Sequence, residues 1–161
     1  MKLLAKLEGG TVIRKAWSDA VPDQSGWTDI SEFPFVMEGD VLSTAILNHY
    51  RKDAIRRIEL GYASAMLSGF TSSALGTPHW YASDGLAMPL LVGAAAAGTD
   101  MKFECTDGTG TRLMPLHTAA QLRQVLNDGA GIAVSYKQKK RLLFGNILAA
   151  TTVDAVNAIT W

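Results

Sequence analysis

The stretch MKFECTDGTGTRLMPLHTAAQLRQVL, Met101 to Leu126, changes its period partway along. Met101, Phe103 and Cys105 fall on one side of an extended chain, and Lys102, Glu104 and Thr106 on the other. That alternation is the strand period of two. Asp107-Gly108-Thr109-Gly110 supplies turn residues, so the segment predicts a hairpin. Beyond it, Leu122, Val125, Gly129, Ile132, Tyr136, Leu143 and Ile147 recur at helical spacing, with Lys139 and Lys140 as a polar break. The joint between the two periods carries its own signature. Thr118 and Gln121 have the spacing of a capping box, in which the Thr hydroxyl accepts from the N3 amide and the Gln side chain reaches back to the N-cap amide. Thr118 as N-cap makes His117 the N′ residue and Leu122 the N4 residue, the two positions of a hydrophobic staple. Pro115 stiffens the entry. Hairpins feeding long helices place the chain in the α+β class.

His117 also has a chemical reading. Cys105 and His117 are the residue types of a thiol–imidazole pair, with Asp107 as the orienting acid, and together they would make a small hydrolase. Against this, Cys105 lies mid-strand on the apolar side, where a cysteine acts as a small buried hydrophobe. Asp107 belongs to the turn. The joint therefore reads as structural, and no catalytic residue is assigned. His49 and Asp53 have the spacing of a weak ion pair within a helix, without the further ligands a metal site needs. DGTGT lacks the Gly-Lys-Ser/Thr of a phosphate loop and reads as a turn.

Working outward, MKLLAKLEGGTVIRKAW, residues 1–17, places two alternating runs around Gly9-Gly10, a second hairpin signal. SDAVPDQSG reads as a loop punctuated by Pro22 and Gly26. WTDI, Trp27 to Ile30, reads as a third short strand, and SEFPFVMEGD as a linker. Residues 1–39 thus form a small β-module with linker, too small for a core of its own. Residues 40–161 form the α+β remainder. Leu47, Tyr50, Ala54, Ile58, Gly61 and Ala65 mark one face of a helix over about 41–68, with Arg51, Lys52, Arg56 and Glu59 on the other side. Asp40 or Ser43 is the expected cap, and Gly69 the stop. Two long helices of this kind can pair within or between chains. Phe70–Leu75 and His79–Ser83 predict a hairpin around Gly-Thr-Pro. A short helix follows, capped by Ser83 or Asp84, ending at Gly98 and delayed or kinked by Pro89. Its apolar run Leu86–Gly98 is too short to cross a bilayer and reads as a buried helix. Thr151 with Asp154 starts a short last helix, and Trp161 docks at its end. The candidate partner-binding aromatics are Trp17, Trp27, Phe33, Phe35, Trp80 and Tyr81. For Trp80 and Tyr81 a partner-facing anchor and a core edge fit equally.

Composition narrows the function classes. The chain has 161 residues, 48% of them hydrophobic, and 15 basic residues balance 15 acidic ones. No basic excess suggests a nucleic-acid partner. The most basic run, KQKKR at Lys137–Arg141, falls on a helix and reads as its solvated face. One cysteine excludes an intrachain disulfide and a Cys-rich metal site. The start MKLLAKLEGG has no apolar core of signal-peptide length, so a soluble protein outside the standard secretory route is expected. No cofactor is implied.

GFTSSALGTPHWYAS, the short apolar helix, the opening stretch and the close LLFGNILAATTVDAVNAITW together resemble an uncharacterised domain family of bacteriophage tail, tail-fibre and tail-fibre-assembly proteins. The matching features are Gly69, the Leu75-Gly76 turn, Tyr81, His117-Thr118 with Gln121, and Ile159 with Trp161. They cover roughly residues 55–161. Residues 1–35 are similar to the N-terminal piece of many phage tail-associated proteins. Pro89-Leu90 departs from the polar helix start of the pattern. The family carries no established catalytic residues, so none transfer. The resemblance implies a non-enzymatic structural or adaptor protein that connects or organises tail fibres at the tail or baseplate. Its expected partners are other tail proteins (tail fibre, baseplate or tail hub) and further copies of itself, with neither nucleic acid nor membrane. It would be made in the host cytoplasm and reside in the virion tail. The alternative is a tail-fibre assembly chaperone not retained in the particle.

Overall fold

The structure is a computed structural model that describes residues 1–17 and 25–161. Most of the loop expected over SDAVPDQSG, Pro22 included, lies outside the described residues, as does the side chain of Trp17. The class is α+β: an N-terminal hairpin module, then two long helices with strands and a short helix between them. The chain divides into two compact units, Met1–Arg56 with Asn146–Thr160 and Arg57–Gly145 with Trp161.

In the first unit, β1 (Leu3–Glu8), β2 (Thr11–Trp17) and β3 (Trp27–Asp29) form an antiparallel sheet in the order β2-β1-β3. Gly9 and Gly10 both have positive φ, 55° and 84°, as a two-residue hairpin turn of this hand requires. Leu3, Ala5 and Val12 pack with Ile30 and Val36, and Phe33, Phe35, Leu42 and Ile46 close over them. The 31–40 linker is pinned rather than loose. Lys15 Nζ donates to the carbonyls of Pro34 (3.1 Å) and Val36 (2.5 Å), and the Lys15 amide donates to Glu38.

Helix α1 (Leu42–Leu67) begins where expected, but neither Asp40 nor Ser43 caps it. The Leu42 amide donates to the Gly10 carbonyl (3.0 Å), so the hairpin turn satisfies the helix start. The Asp40 carboxylate instead accepts from the Met37 amide. Arg51, expected on the polar side, also has a structural task. Its Nη2 donates to the carbonyls of Leu148 (3.1 Å) and Ala150 (2.8 Å) at the end of helix α3 (Ala119–Ala149). That helix has no basic residue in its own last turn, so α1 supplies the cation that its free carbonyls favour. Helix α4 (Val153–Asn157) is capped by Thr152, whose hydroxyl accepts from the Ala155 amide, one residue beyond the expected Thr151.

In the second unit, β4 (Phe70–Ser72), β5 (His79–Tyr81), β7 (Cys105–Thr106) and β8 (Arg112–Leu113) make an antiparallel sheet in that order. β6 (Met101–Lys102) pairs separately with β9 (Leu116–His117). The single hairpin expected over 101–116 is therefore interrupted. Phe103 still donates to the Pro115 carbonyl (3.1 Å), but Pro115 has no N–H to return.

Helix α2 (Ala87–Ala97) starts late, so Pro89 sits in its first turn, where an N–H would have no helical acceptor. Asp84 accepts from the Leu86 and Ala87 amides. Ser83 does not cap; it accepts from Gly69 and donates to Met66. The expectation of a buried helix is half corrected. Leu91, Ala94 and Ala95 face the core, whereas Leu86 and Leu90 are 81% and 67% exposed. The core of this unit joins them to Phe70, Tyr81, Cys105, Leu122 and Val125.

The stripe of α3 holds at Leu122, Val125 and Ile147, but Ile132 is exposed. Gly129 belongs to the stripe for a steric reason: a Cβ there would lie 2.7 Å from the Phe70 ring. Lys139 and Lys140 do not simply break it. Their ammonium groups sit over the rings of Trp161 (4.5 Å) and Tyr62 (4.4 Å). Trp161 is docked against Gly61, where a Cβ would stand 2.6 Å from the Trp161 side chain.

The two glycines of α3 should therefore respond oppositely to the same change. Gly131 has open space around it, so Gly131→Ala should stabilise by up to about 1 kcal/mol through helix propensity. Gly129→Ala should destabilise by about 1–3 kcal/mol, because the buried Phe70 ring must shift. Urea denaturation of the two variants checks both signs.

Candidate functional site

The capping box at the start of α3 is formed in both directions. The Gln121 amide donates to Thr118 Oγ1 (3.2 Å), and the Thr118 amide donates to Gln121 Oε1 (2.8 Å). Asp100 Oδ1 accepts from the Ala119 amide (2.9 Å), adding an anion at the helix N-terminus. His117 and Leu122, at the two staple positions, are both fully buried.

His117 Nδ1 lies 3.0 Å from the Pro115 carbonyl, and Nε2 lies 2.9 Å from the Tyr81 hydroxyl. A carbonyl only accepts, so Nδ1 carries the proton and Nε2 accepts from Tyr81. The Cys105 thiol is buried with Tyr81 in the same core. Phe70 stacks on Tyr81 (5.9 Å between centroids), and Phe103 meets the imidazole edge-on (6.2 Å).

This enclosure keeps each group neutral. Burial pushes the His117 pKa down, against the pull of the Pro115 carbonyl. Burial raises the Tyr81 phenol, and the neighbouring Cys105 adds to it. Burial raises the Cys105 thiol, against a smaller opposing influence of Tyr81, and Asp107 and Glu104 add to the rise. A nucleophilic cysteine needs the opposite shift and a base in direct reach. Here Tyr81 occupies the base nitrogen. Asp107, the third member of the chemical reading, is taken up by its turn. Its Oδ1 accepts from the amides of Thr109 (2.8 Å) and Thr111 (2.9 Å) and from the Thr109 hydroxyl. The structure thus gathers Cys105 and His117 around Tyr81 but does not join them as nucleophile and base.

The six partner-binding candidates separate. Trp27 is half-buried on β3. Phe33 and Phe35 pack against the core of the first unit, Phe35 stacked on the His49 ring at 3.8 Å. His49 also reaches Asp53 at 3.4 Å. Neighbouring strand residues point to opposite faces, so Tyr81 turns inward and is corrected to a core residue, while Trp80 turns out. The Trp80 indole lies on Gly69 and donates to the Ser68 carbonyl (3.1 Å).

Trp80 forms one wall of an open groove of about 670 Å³. Leu86 at the N-cap of α2, Leu90 within it and Met114 stand along it, with Phe103 and Cys105 among its lining. Asp84, Lys102, Glu104 and Arg112 supply its charge, and Arg112 pairs with Glu104 at 2.7 Å. The groove was not foreseen from sequence. Its available signal was that α2 is apolar all round, which is more than one buried face needs. Among the described residues no group of three or more side chains could hold a metal ion, and no helix is long and apolar enough to cross a membrane.

Two outcomes follow from the buried triad. A histidine with a lowered folded pKa stays neutral while the unfolded chain takes up a proton, so stability falls as pH drops below the unfolded value of about 6.5 and levels off below the folded one. Thermal melts from pH 7.5 to 4.5 should show that slope, and His117→Gln, which cannot titrate, should lose its share of it. The sole cysteine should also react with a disulfide-exchange reagent at least about 100-fold more slowly in the native chain than in urea, as its burial and raised pKa require. Comparison with known proteins finds no matching family model, no similar curated protein and no similar solved structure.

Proposed function

We propose that this chain is a non-enzymatic structural or adaptor component of a bacteriophage tail, organising tail fibres at the tail or baseplate as an oligomer. The observation that carries this reading is the amount of apolar side chain left open on helical surfaces. Leu60 and Leu67 of α1, Leu86 at the N-cap of α2 and Leu90 within it, and Leu142 and Leu148 of α3 are each more than 60% exposed. Scattered single leucines need no explanation, but repeated ones on long helices suit protein partners. The inward-facing chemistry supports the same reading, because the one thiol and the one fully buried imidazole serve the core. The sequence resemblance is what points this reading toward a tail component.

Mass spectrometry of purified virions tests this. Peptides of the chain should appear in intact particles at a stoichiometric level. Recovery from infected-cell lysate without recovery from particles would replace the structural role with that of an assembly chaperone. A hydrolytic activity abolished by Cys105→Ala in a chain that still folds would sink the non-enzymatic reading altogether.

A further inference from the structure

We infer that the groove beside α2 is a self-association surface, on which a second copy of this chain seats about a two-fold axis. This deepens the oligomer of the proposed function and rests on that reading only for its biological setting.

Shape comes first. A two-fold interface uses one patch on both partners, so the patch must be complementary to itself. Leu86 and Leu90 stand one helical turn apart and exposed along one wall of the hollow, which Met114, Phe103 and Trp80 also line. An exposed apolar wall on a hollow is what such pairing needs: each copy inserts its leucines into the other's hollow. Gly93 continues the wall, and nothing lies within 4 Å of where its Cβ would be. A partner backbone can therefore approach α2 closely.

Charge points the same way. A rim of one sign would repel its own copy. Here Asp84 and Glu104 balance Lys102 and Arg112. Glu104 and Arg112 already pair within the chain, whereas Lys102 has no ion-pair partner among the described residues. Asp84 uses only Oδ1 for the amides of α2. Lys102 of one copy and Asp84 of the other are the complementary pair left over.

Area is sufficient. Leu86, Leu90, Trp80 and Met114 are between 41% and 81% exposed. Together they offer on the order of 500 Å², most of the roughly 800 Å² per partner of a standard interface. Leu116, 63% exposed and paired across the ladder with Lys102, extends the same rim.

Sedimentation velocity on the purified full chain, from about 1 to 500 µM, tests the inference. The chain should show a concentration-dependent monomer–dimer equilibrium. The double variant Leu86→Glu/Leu90→Glu should raise its dissociation constant by at least about 30-fold, the scale of an interface hot spot. Both positions are exposed, so circular dichroism should report unchanged folding. Lys102→Glu should weaken association without touching the apolar wall. Leu60→Glu/Leu142→Glu, on the outer faces of α1 and α3, should leave it unchanged. A wild-type chain that stays monomeric throughout would overturn the inference. So would association that survives the groove variants, association lost only with the Leu60/Leu142 pair, or a monomer that uses the groove to bind phosphatidylcholine vesicles. Absence from virions would sink the tail reading and leave this result standing.

Discussion

The buried hydrogen bond from Tyr81 to His117 is the constraint on which the second unit is arranged. A phenol and an imidazole without water must find each other or lose about 1–3 kcal/mol for each polar atom left unpaired. Meeting that condition holds β5 against the start of α3 at a fixed distance. It also decides which way β5 faces. With Tyr81 turned inward, Trp80 must turn outward, and its indole becomes a wall of the groove. Cys105 is carried along, because β7 pairs with β5 and brings it into the same buried core. The residues that looked like chemistry are thus held neutral and inward by the same bond that leaves an apolar surface outside.

The ends of the helices show which parts of this fold were legible in the sequence. The Thr118–Gln121 box was legible because both partners lie three residues apart and each is a side chain of the right type. The start of α1 was not. Its acceptor is the backbone carbonyl of Gly10, which has no side-chain signature and lies 32 residues upstream of Leu42. The end of α3 was harder still. Arg51 sits 97 and 99 residues from the carbonyls it serves, on a face where charge pattern alone predicts solvent. Local capping is written in short spacing, whereas remote capping exists only once the chain has folded.

The candidate site divides along the same line. Burial of His117 followed from its place before the cap. Its partner did not, because Tyr81 belongs to another hairpin and adjacent Trp80 has the same affinity for interfaces. Strand alternation could have said that one of the two points in and the other out, but not which. The interrupted hairpin is similar: period two ran cleanly from Met101 to Thr106, and only the returning strand, with Pro115, shows where the ladder must break. The groove needed both strands and α2 placed together before it existed at all.

Two aromatic rings in the second unit rest on helical glycines: Trp161 on Gly61 and Phe70 on Gly129. Within a helix, glycine costs roughly 1 kcal/mol relative to alanine. Burying an aromatic side chain gives back about 1.5–3 kcal/mol, so the exchange favours the ring wherever a Cβ would exclude it. This is an efficient solution for helices whose inner faces carry few large residues, since one ring covers what two or three methyl groups would otherwise fill. It also explains why Trp161 and the lysines come together. With Gly61 beneath it, the last ring of the chain lies flat enough for Tyr62 and Tyr136 to meet it edge-on and for Lys139 to cover it. The apparent polar break in α3 is then the outer layer of an aromatic cluster, where an ammonium on a long stem seals a ring that an apolar residue would have left open to water.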